Sequence, residues 1–170
     1  MPAETNITGV TQIGIITADI DRAVRTWADR YGVGPWQVFR FDPSNMSELT
    51  VGGRPVEYGM RIALAYLGPM MFELIEPSDE RSVYAQSLER HGGADHFHHI
   101  LCDTDDFHAT LAAFAQKGIT PAQTGHMHET HASFAYLDSE PDIGFMLEFA
   151  HVDGELNLPE PMYVYPPPGE

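Results

Sequence analysis

The stretch Gln12-Ile13-Gly14-Ile15-Ile16-Thr17-Ala18-Asp19-Ile20 reads in step with His99-Ile100-Leu101-Cys102-Asp103-Thr104-Asp105-Asp106-Phe107, 87 positions further on (99 − 12). In each copy a polar residue able to bind a metal opens an apolar strand, a Thr closes it, and an Asp caps the helix that follows. A repeated supersecondary unit decides a fold more firmly than local propensity does. One strand–helix unit is thus used twice, and the change from Gln12 to His99 at its polar position predicts two half-sites facing one centre.

Both copies continue alike. Ile20, Ala23, Val24, Trp27 and Tyr31 recur at the spacing of a helix lying on a sheet, with Asp19 as N-cap and Gly32 as stop. In the second copy Asp106 caps a stripe of Phe107, Thr110, Leu111 and Phe114, Lys117 sits near the negative end of the helix dipole, and Gly118 ends it. Strand-like runs follow at Trp36–Phe41, Tyr58–Leu67 and Pro69–Glu76, then at Thr120–His126, Ala132–Leu137 and Phe145–His151. Each half reads βαβββ, so the expected class is α+β: two tandem modules, about 8–77 and 95–151, forming a cupped mixed sheet. Residues 1–156 are expected to make one domain, with a linker helix over about 78–91 carrying Asp79 and Glu80 in its first turn. The segment Asp42–Glu57, rich in Pro, Asn, Ser and Gly, reads as a loop overhanging a site. The tail 157–170, with five prolines and no periodicity, reads as an extended or disordered arm.

Alternation along the strands sorts the side chains. Ile13, Ile15, Ile100 and Cys102 point to the helix side, and Gln12 and His99 point away from it. Phe72 and Leu74 likewise leave Glu73 on the opposite face, and Phe145-Met146-Leu147-Glu148-Phe149 does the same for Glu148. A Glu inside an apolar strand is costly to bury unpaired. Two of them in matching strands, facing Gln12 and His99, are explained together by a shared divalent cation.

Composition bounds the partners. A net charge of −16, with Lys117 the only lysine, leaves no basic stripe for nucleic acid or an anionic membrane. A phosphate-rich ligand such as a CoA thioester is disfavoured for the same reason. No apolar run approaches a membrane span and no basic-then-apolar leader is present, so a soluble cytoplasmic protein is expected. Cys102 is the only cysteine, which leaves no internal disulfide.

At these residues the chain is identified as a member of the vicinal oxygen chelate superfamily, the glyoxalase, bleomycin-resistance and extradiol-dioxygenase group, over about residues 8–151. Phe72-Glu73-Leu74-Ile75-Glu76-Pro77, Ser82-Val83-Tyr84-Ala85-Gln86-Ser87-Leu88-Glu89-Arg90-His91-Gly92 and His98-His99-Ile100 resemble segments of methylmalonyl-CoA epimerases in the same order. The resemblance implies a metal at the centre of the cup, held by Gln12, Glu73, His99 and Glu148. The epimerase pattern carries His at the first of these positions. There this chain is more similar to zinc-type glyoxalase I, with its Gln, Glu, His, Glu set. A homodimer is implied as well.

Such a donor set suits six-coordinate Zn, Co, Ni or Mn. The expected chemistry is that of an isomerase, epimerase or lyase acting on a small carbonyl compound through a metal-stabilised enolate. Glu148 is the candidate base by resemblance, with Glu48, Glu57 and Asp103 as further candidates. Met60, Met70, Met71, Met127 and Met146 with Trp36, Phe39 and Tyr66 predict an apolar, adaptable cavity and a largely apolar substrate. The run His126-Met127-His128-Glu129-Thr130-His131 lacks the helical His-Glu-x-x-His spacing of a second metal site. It and the remaining histidines, His96, His98 and His151 among them, read as surface or supporting residues, one of them available as a proton carrier. Two rival readings stand beside the enolate enzyme: an Fe(II) dioxygenase of the extradiol type, and a metal-free ligand-sequestering protein of the bleomycin-resistance type.

Overall fold

The computed structural model describes residues 4–169; positions 1–3 of the expected domain and position 170 of the expected tail lie outside the described residues. The chain runs β1 (Ile7–Ile16), α1 (Ile20–Tyr31), β2 (Trp36–Phe41), β3 (Met46–Val51), β4 (Arg54–Pro55), β5 (Met60–Leu67), β6 (Met70–Pro77), α2 (Val83–Arg90), β7 (His96–Thr104), α3 (Phe107–Gln116), β8 (Pro121–Met127), β9 (Ala132–Leu137), α4 (Glu140–Ile143), β10 (Met146–Val152) and β11 (Tyr163–Tyr165). The strands join in one mixed sheet, in the order β11-β2-β5-β6-β1-β7-β10-β9-β8-β3-β4. Its middle is self-similar. β2-β5-β6-β1 is mirrored by β8-β9-β10-β7, β1 pairs with β7 antiparallel, and each first strand pairs in parallel with the last strand of its own module. The repeat read at Gln12 and His99 therefore is the seam of the molecule.

Both predicted helices form where their caps place them. Asp19 accepts from the Arg22 N–H and Gly32 closes α1 with φ of 70°, while Asp106 accepts from the Ala109 N–H at 2.9 Å. On the helix side Ile20 and Val24 of α1 cluster with Trp36, Val38, Ala63 and Leu74, and Phe114 of α3 clusters with Cys102, Ala135, Leu137 and Phe149. The opposite, concave face carries a third cluster, with Phe39, Phe41, Met60, Ile62, Tyr136 and Met146 meeting Val83 and Tyr84 of α2. Strand alternation assigns the residues between: Glu73 lies between helix-side Phe72 and Leu74, and Glu148 between helix-side Leu147 and Phe149. Both carboxylates therefore belong to the concave side.

Several expectations change. The segment read as an overhanging loop is the hairpin β3–β4, which leaves its own module and pairs with β8 at the far edge of the other one. Its Pro, Asn and Gly residues supply turns between short strands. The linker helix begins later than expected, at Val83, because Ser82 is its N-cap, its hydroxyl accepting from the Ala85 N–H. Asp79 lies outside the helix and accepts the Gly59 N–H instead. The proline-bearing tail lays β11 along β2, with Tyr163 donating to Asp21 and Tyr165 to Asp29. Tyr31, placed on the buried stripe of α1 by its spacing, is exposed at the helix end.

Candidate metal centre

Cross-strand register builds the site. Glu73 lies opposite Gly14 on β1, Gly14 opposite His99 on β7, and His99 opposite Met146 on β10, two residues before Glu148. At Gly14 the missing side chain is what matters: a Cβ there would stand 1.9 Å from Cε1 of His99 and 2.1 Å from its Nε2. The imidazole occupies that space and reaches across β1. Its Nε2 lies 3.2 Å from Oε2 of Glu73 and 3.2 Å from Oε2 of Glu148. His99 is 0 % exposed and each of the two glutamates 7 %. Together the three make a buried group whose ligand atoms all lie within 4.8 Å of one another.

The hydrogen-bond account of this group does not close by itself. Nε2 carries at most one hydrogen, and it is directed at Glu73. Oε2 of Glu148 is left buried without a hydrogen-bond partner, despite its 3.2 Å approach to the ring. Burial opposes a charged imidazole, yet the close carboxylates of Glu148 and Glu73 outweigh it and push His99 up to about 9. Burial also pushes the Glu73 carboxyl up, with Glu148 adding to the effect and His99 and Gln12 opposing it. Two buried carboxylates facing one ring are a costly arrangement without a further positive charge. A divalent cation fits the group: it would satisfy the orphaned oxygen and both charges at once.

Gln12, the fourth expected ligand, is buried on the same face two residues before Gly14, and its amide donates to Sδ of Met71 at 3.3 Å. It adjoins the three-residue group.

A family model described as the glyoxalase/bleomycin resistance protein/dioxygenase superfamily matches residues 11–136, spanning β1 to β9. The chain belongs to this superfamily. No curated protein sequence matches it. Among solved structures, methylmalonyl-CoA epimerase from Mycobacterium tuberculosis is similar with a TM-score of 0.63 at 20 % identity, covering 91 % of this chain and 94 % of that one. A single-residue variant of the Streptomyces coelicolor methylmalonyl-CoA epimerase, in complex with 2-nitronate-propionyl-CoA, gives a TM-score of 0.65 at 20 % identity, covering 90 % and 100 %. A hypothetical protein from Bacillus halodurans gives 0.63 at 19 % identity over 88 % and 98 %. At these identities the likeness is one of fold, and it agrees with the superfamily resemblance read from the segments around Glu73 and His99.

Within the superfamily fold, the other candidate bases are exposed, unlike the buried group. Glu48 is exposed, with φ of 54°, at the irregularity where β3 shifts register against β8. Glu57 is exposed just before β5, and Asp103 is exposed on β7, where it accepts a hydrogen bond from Thr11. Of the residues expected to line an apolar cavity, Trp36 belongs to the core beneath α1, its indole N–H donating to the Val33 carbonyl, and Tyr66 is exposed. Phe39, Met60 and Met146 do lie on the concave side. Met146 also lines a cavity of about 1110 Å³ between the β3–β4 hairpin, α2 and α4, together with Val51, Val83, Gln86, Arg90 and Ala122.

Gly14, Tyr84 and Tyr136 go unmarked in the sequence reading, and His98 passes there as a surface or supporting residue. Gly14 carries a signal, since a glycine between isoleucines inside a strand marks a close approach by another group. His98 is buried beside His99, and Tyr84 and Tyr136 pack edge-on against it. No local pattern in the sequence announces these contacts, because they depend on a bulge in β7 and on α2 crossing the concave face.

Proposed function

We propose that this protein is a divalent-metal-dependent isomerase or epimerase that moves a proton on the carbon beside a carbonyl group, with a lyase of the same enolate chemistry as its near variant. The observation that carries the reading is the buried Glu73–His99–Glu148 group with its orphaned carboxylate oxygen. Those three residues would hold the ion, with the amide of Gln12 beside them. When bound, Zn, Co, Ni or Mn supplies Lewis-acid stabilisation to a developing oxyanion. Glu148 is the residue we assign as base: its carboxylate has two oxygens, so one could be given to the ion while the other faces the substrate. Gly14 gives His99 room, and the concave cluster of Phe39, Met60, Tyr136 and Met146 excludes water around the reacting carbon.

The substrate we favour is a small, largely apolar carbonyl compound. The 1110 Å³ cavity ends on Met146, the residue opposite His99, and its walls include Val51, Val83 and Ala122. Arg90, the cation on those walls, is already paired with Glu140 at 2.8 Å, which leaves little to attract the phosphates of a CoA thioester. The same reading has the protein acting as a cytoplasmic homodimer. An apolar groove of Ile13, Ile15, Trp27, Tyr31 and Phe97 on the helix side, at the module seam, supports pairing with a second copy, and light scattering tests it. Among the described residues no helix is long and apolar enough to cross a membrane.

The test joins metal analysis to isotope exchange. Purified protein is expected to hold about one Zn, Co, Ni or Mn per chain, and in deuterated buffer to wash deuterium into the carbon next to the carbonyl of a 2-substituted thioester or ketone. Iron together with consumption of molecular oxygen would hand the site to a dioxygenase. Tight ligand binding by metal-free protein, without exchange, would make it a sequestering protein.

A further inference from the structure

We infer that His98 is a positioning residue for the metal centre: its Nδ1 accepts the Nδ1 hydrogen of His99 and so turns the Nε2 of His99 toward Glu73 and Glu148. The inference rests on the proposed metal site and deepens it. Neighbouring residues of a regular strand point to opposite faces, and His98 and His99 would then never meet. Here they do, because β7 is bulged: Gly14 pairs with His99 and Ile15 with Phe97, which leaves His98 as the extra residue between them. The two Nδ1 atoms lie 2.9 Å apart, with the rings nearly perpendicular at 86°. Only one hydrogen fits between two nitrogens at that distance.

The surroundings decide which ring owns it. Nε2 of His99 faces the carboxylates of Glu73 and Glu148 at 3.2 Å each, and a neutral ring that offers Nε2 to a cation held there keeps its hydrogen on Nδ1. His98 has no carboxylate partner; it sits between the rings of Tyr84 and Tyr136, each 5.9 Å away by centroid. The shared hydrogen therefore belongs to Nδ1 of His99, and His98 accepts it with a bare Nδ1 while carrying its own hydrogen on Nε2. That Nε2 is buried without a hydrogen-bond partner, which is tolerable for a weakly placed N–H against aromatic faces and poor for a charged ring. With Nδ1 tied to His98, the His99 ring cannot turn over. Its remaining nitrogen is then the one aimed at the two carboxylates, as a cation ligand must be.

The experiment measures Zn(II) affinity by competition with a chromogenic chelator, and the ring hydrogens by ¹⁵N-edited NMR of histidine-labelled protein. His98→Phe keeps the bulk and removes the acceptor, and is expected to weaken Zn(II) binding by roughly 10- to 100-fold. His98→Asn, whose amide oxygen can take the place of Nδ1, is expected to recover most of that loss. The NMR spectrum of the unmodified protein is expected to show His98 with a bare Nδ1 and a hydrogen on Nε2. Unchanged Zn(II) affinity in His98→Phe, or a spectrum with the hydrogen on Nδ1 of His98, overturns the inference. If the wild type binds no divalent metal, the metal reading itself fails. The NMR spectrum, which needs neither metal nor a variant, still decides the hydrogen's position.

Discussion

Replacing Gly14 by Ala adds one methyl group, and the structure says where it goes. The new Cβ would stand 1.9 Å from Cε1, 2.1 Å from Nε2 and 2.3 Å from Nδ1 of His99. Non-bonded carbons rest at about 3.5 Å or more, so the imidazole must retreat by roughly 1.5 Å. It has nowhere neutral to go, since Tyr136 packs edge-on against it and His98 holds its other nitrogen. Overpacking of this kind costs about 1–3 kcal/mol, which for a chain this long lowers the melting temperature by roughly 2–12 °C. The effect on metal is larger than that on stability. Ligand distances hold within about 0.2 Å, so a displaced His99 ceases to be a ligand and affinity falls by more than about 100-fold. The assay is Zn(II) competition titration beside thermal melts of chelated protein. Gly9→Ala on the same strand serves as control: its Cβ would meet only the exposed Asp103 carboxylate, 3.0 Å away, which can swing aside. A Gly14→Ala protein that melts like the wild type and binds Zn(II) equally well would refute the reasoning.

Glu148→Ala is expected to lose bound metal and turnover together, measured by elemental analysis of the purified variant, whereas Glu148→Gln keeps part of the metal and loses turnover, as a ligand that is also the base requires. Metal-free protein is expected to lose stability as pH rises. The raised basicity of His99 contributes stability fully below its ordinary value of about 6.5, and that contribution is lost as pH passes through about 9. The raised Glu73 carboxyl acts in the same direction. Saturating Zn(II) replaces the proton and flattens the dependence, so paired melts with and without chelator between pH 6 and 9 check it. Removing residues 162–170 uncovers the outer edge of β2 and the partners of Tyr163; a lower melting temperature and concentration-dependent scattering are expected.

What could be read in advance divides along physical lines. The repeat at Gln12 and His99, the caps Asp19 and Asp106, and the alternation around Glu73 and Glu148 are local patterns, and each sits in the fold as its period required. They were enough to bring Glu73, His99 and Glu148 to one point. The β3–β4 hairpin was unreadable for a different reason. Its short strands are stabilised by β8, a partner remote in sequence, and its own composition is that of a loop. The β7 bulge that turns His98 inward is likewise a property of pairing with β1, which no single strand encodes. Glu48 and Asp103 are exposed, and a carboxylate's presence in the sequence carries no information on its burial.

The crossing of β3 to β8 sets a delay on the ribosome. Met46 pairs with Met127, 81 residues later in the chain (127 − 46). At about 5–20 residues per second, the hairpin emerges roughly 4–16 seconds before its partner strand exists. During that interval β3 is an unpaired edge tethered to the first module, and Met46 and Leu49, buried in the finished protein, face solvent. The first half of this chain thus cannot complete itself during synthesis and must wait, with an adhesive strand exposed, for the second half to arrive.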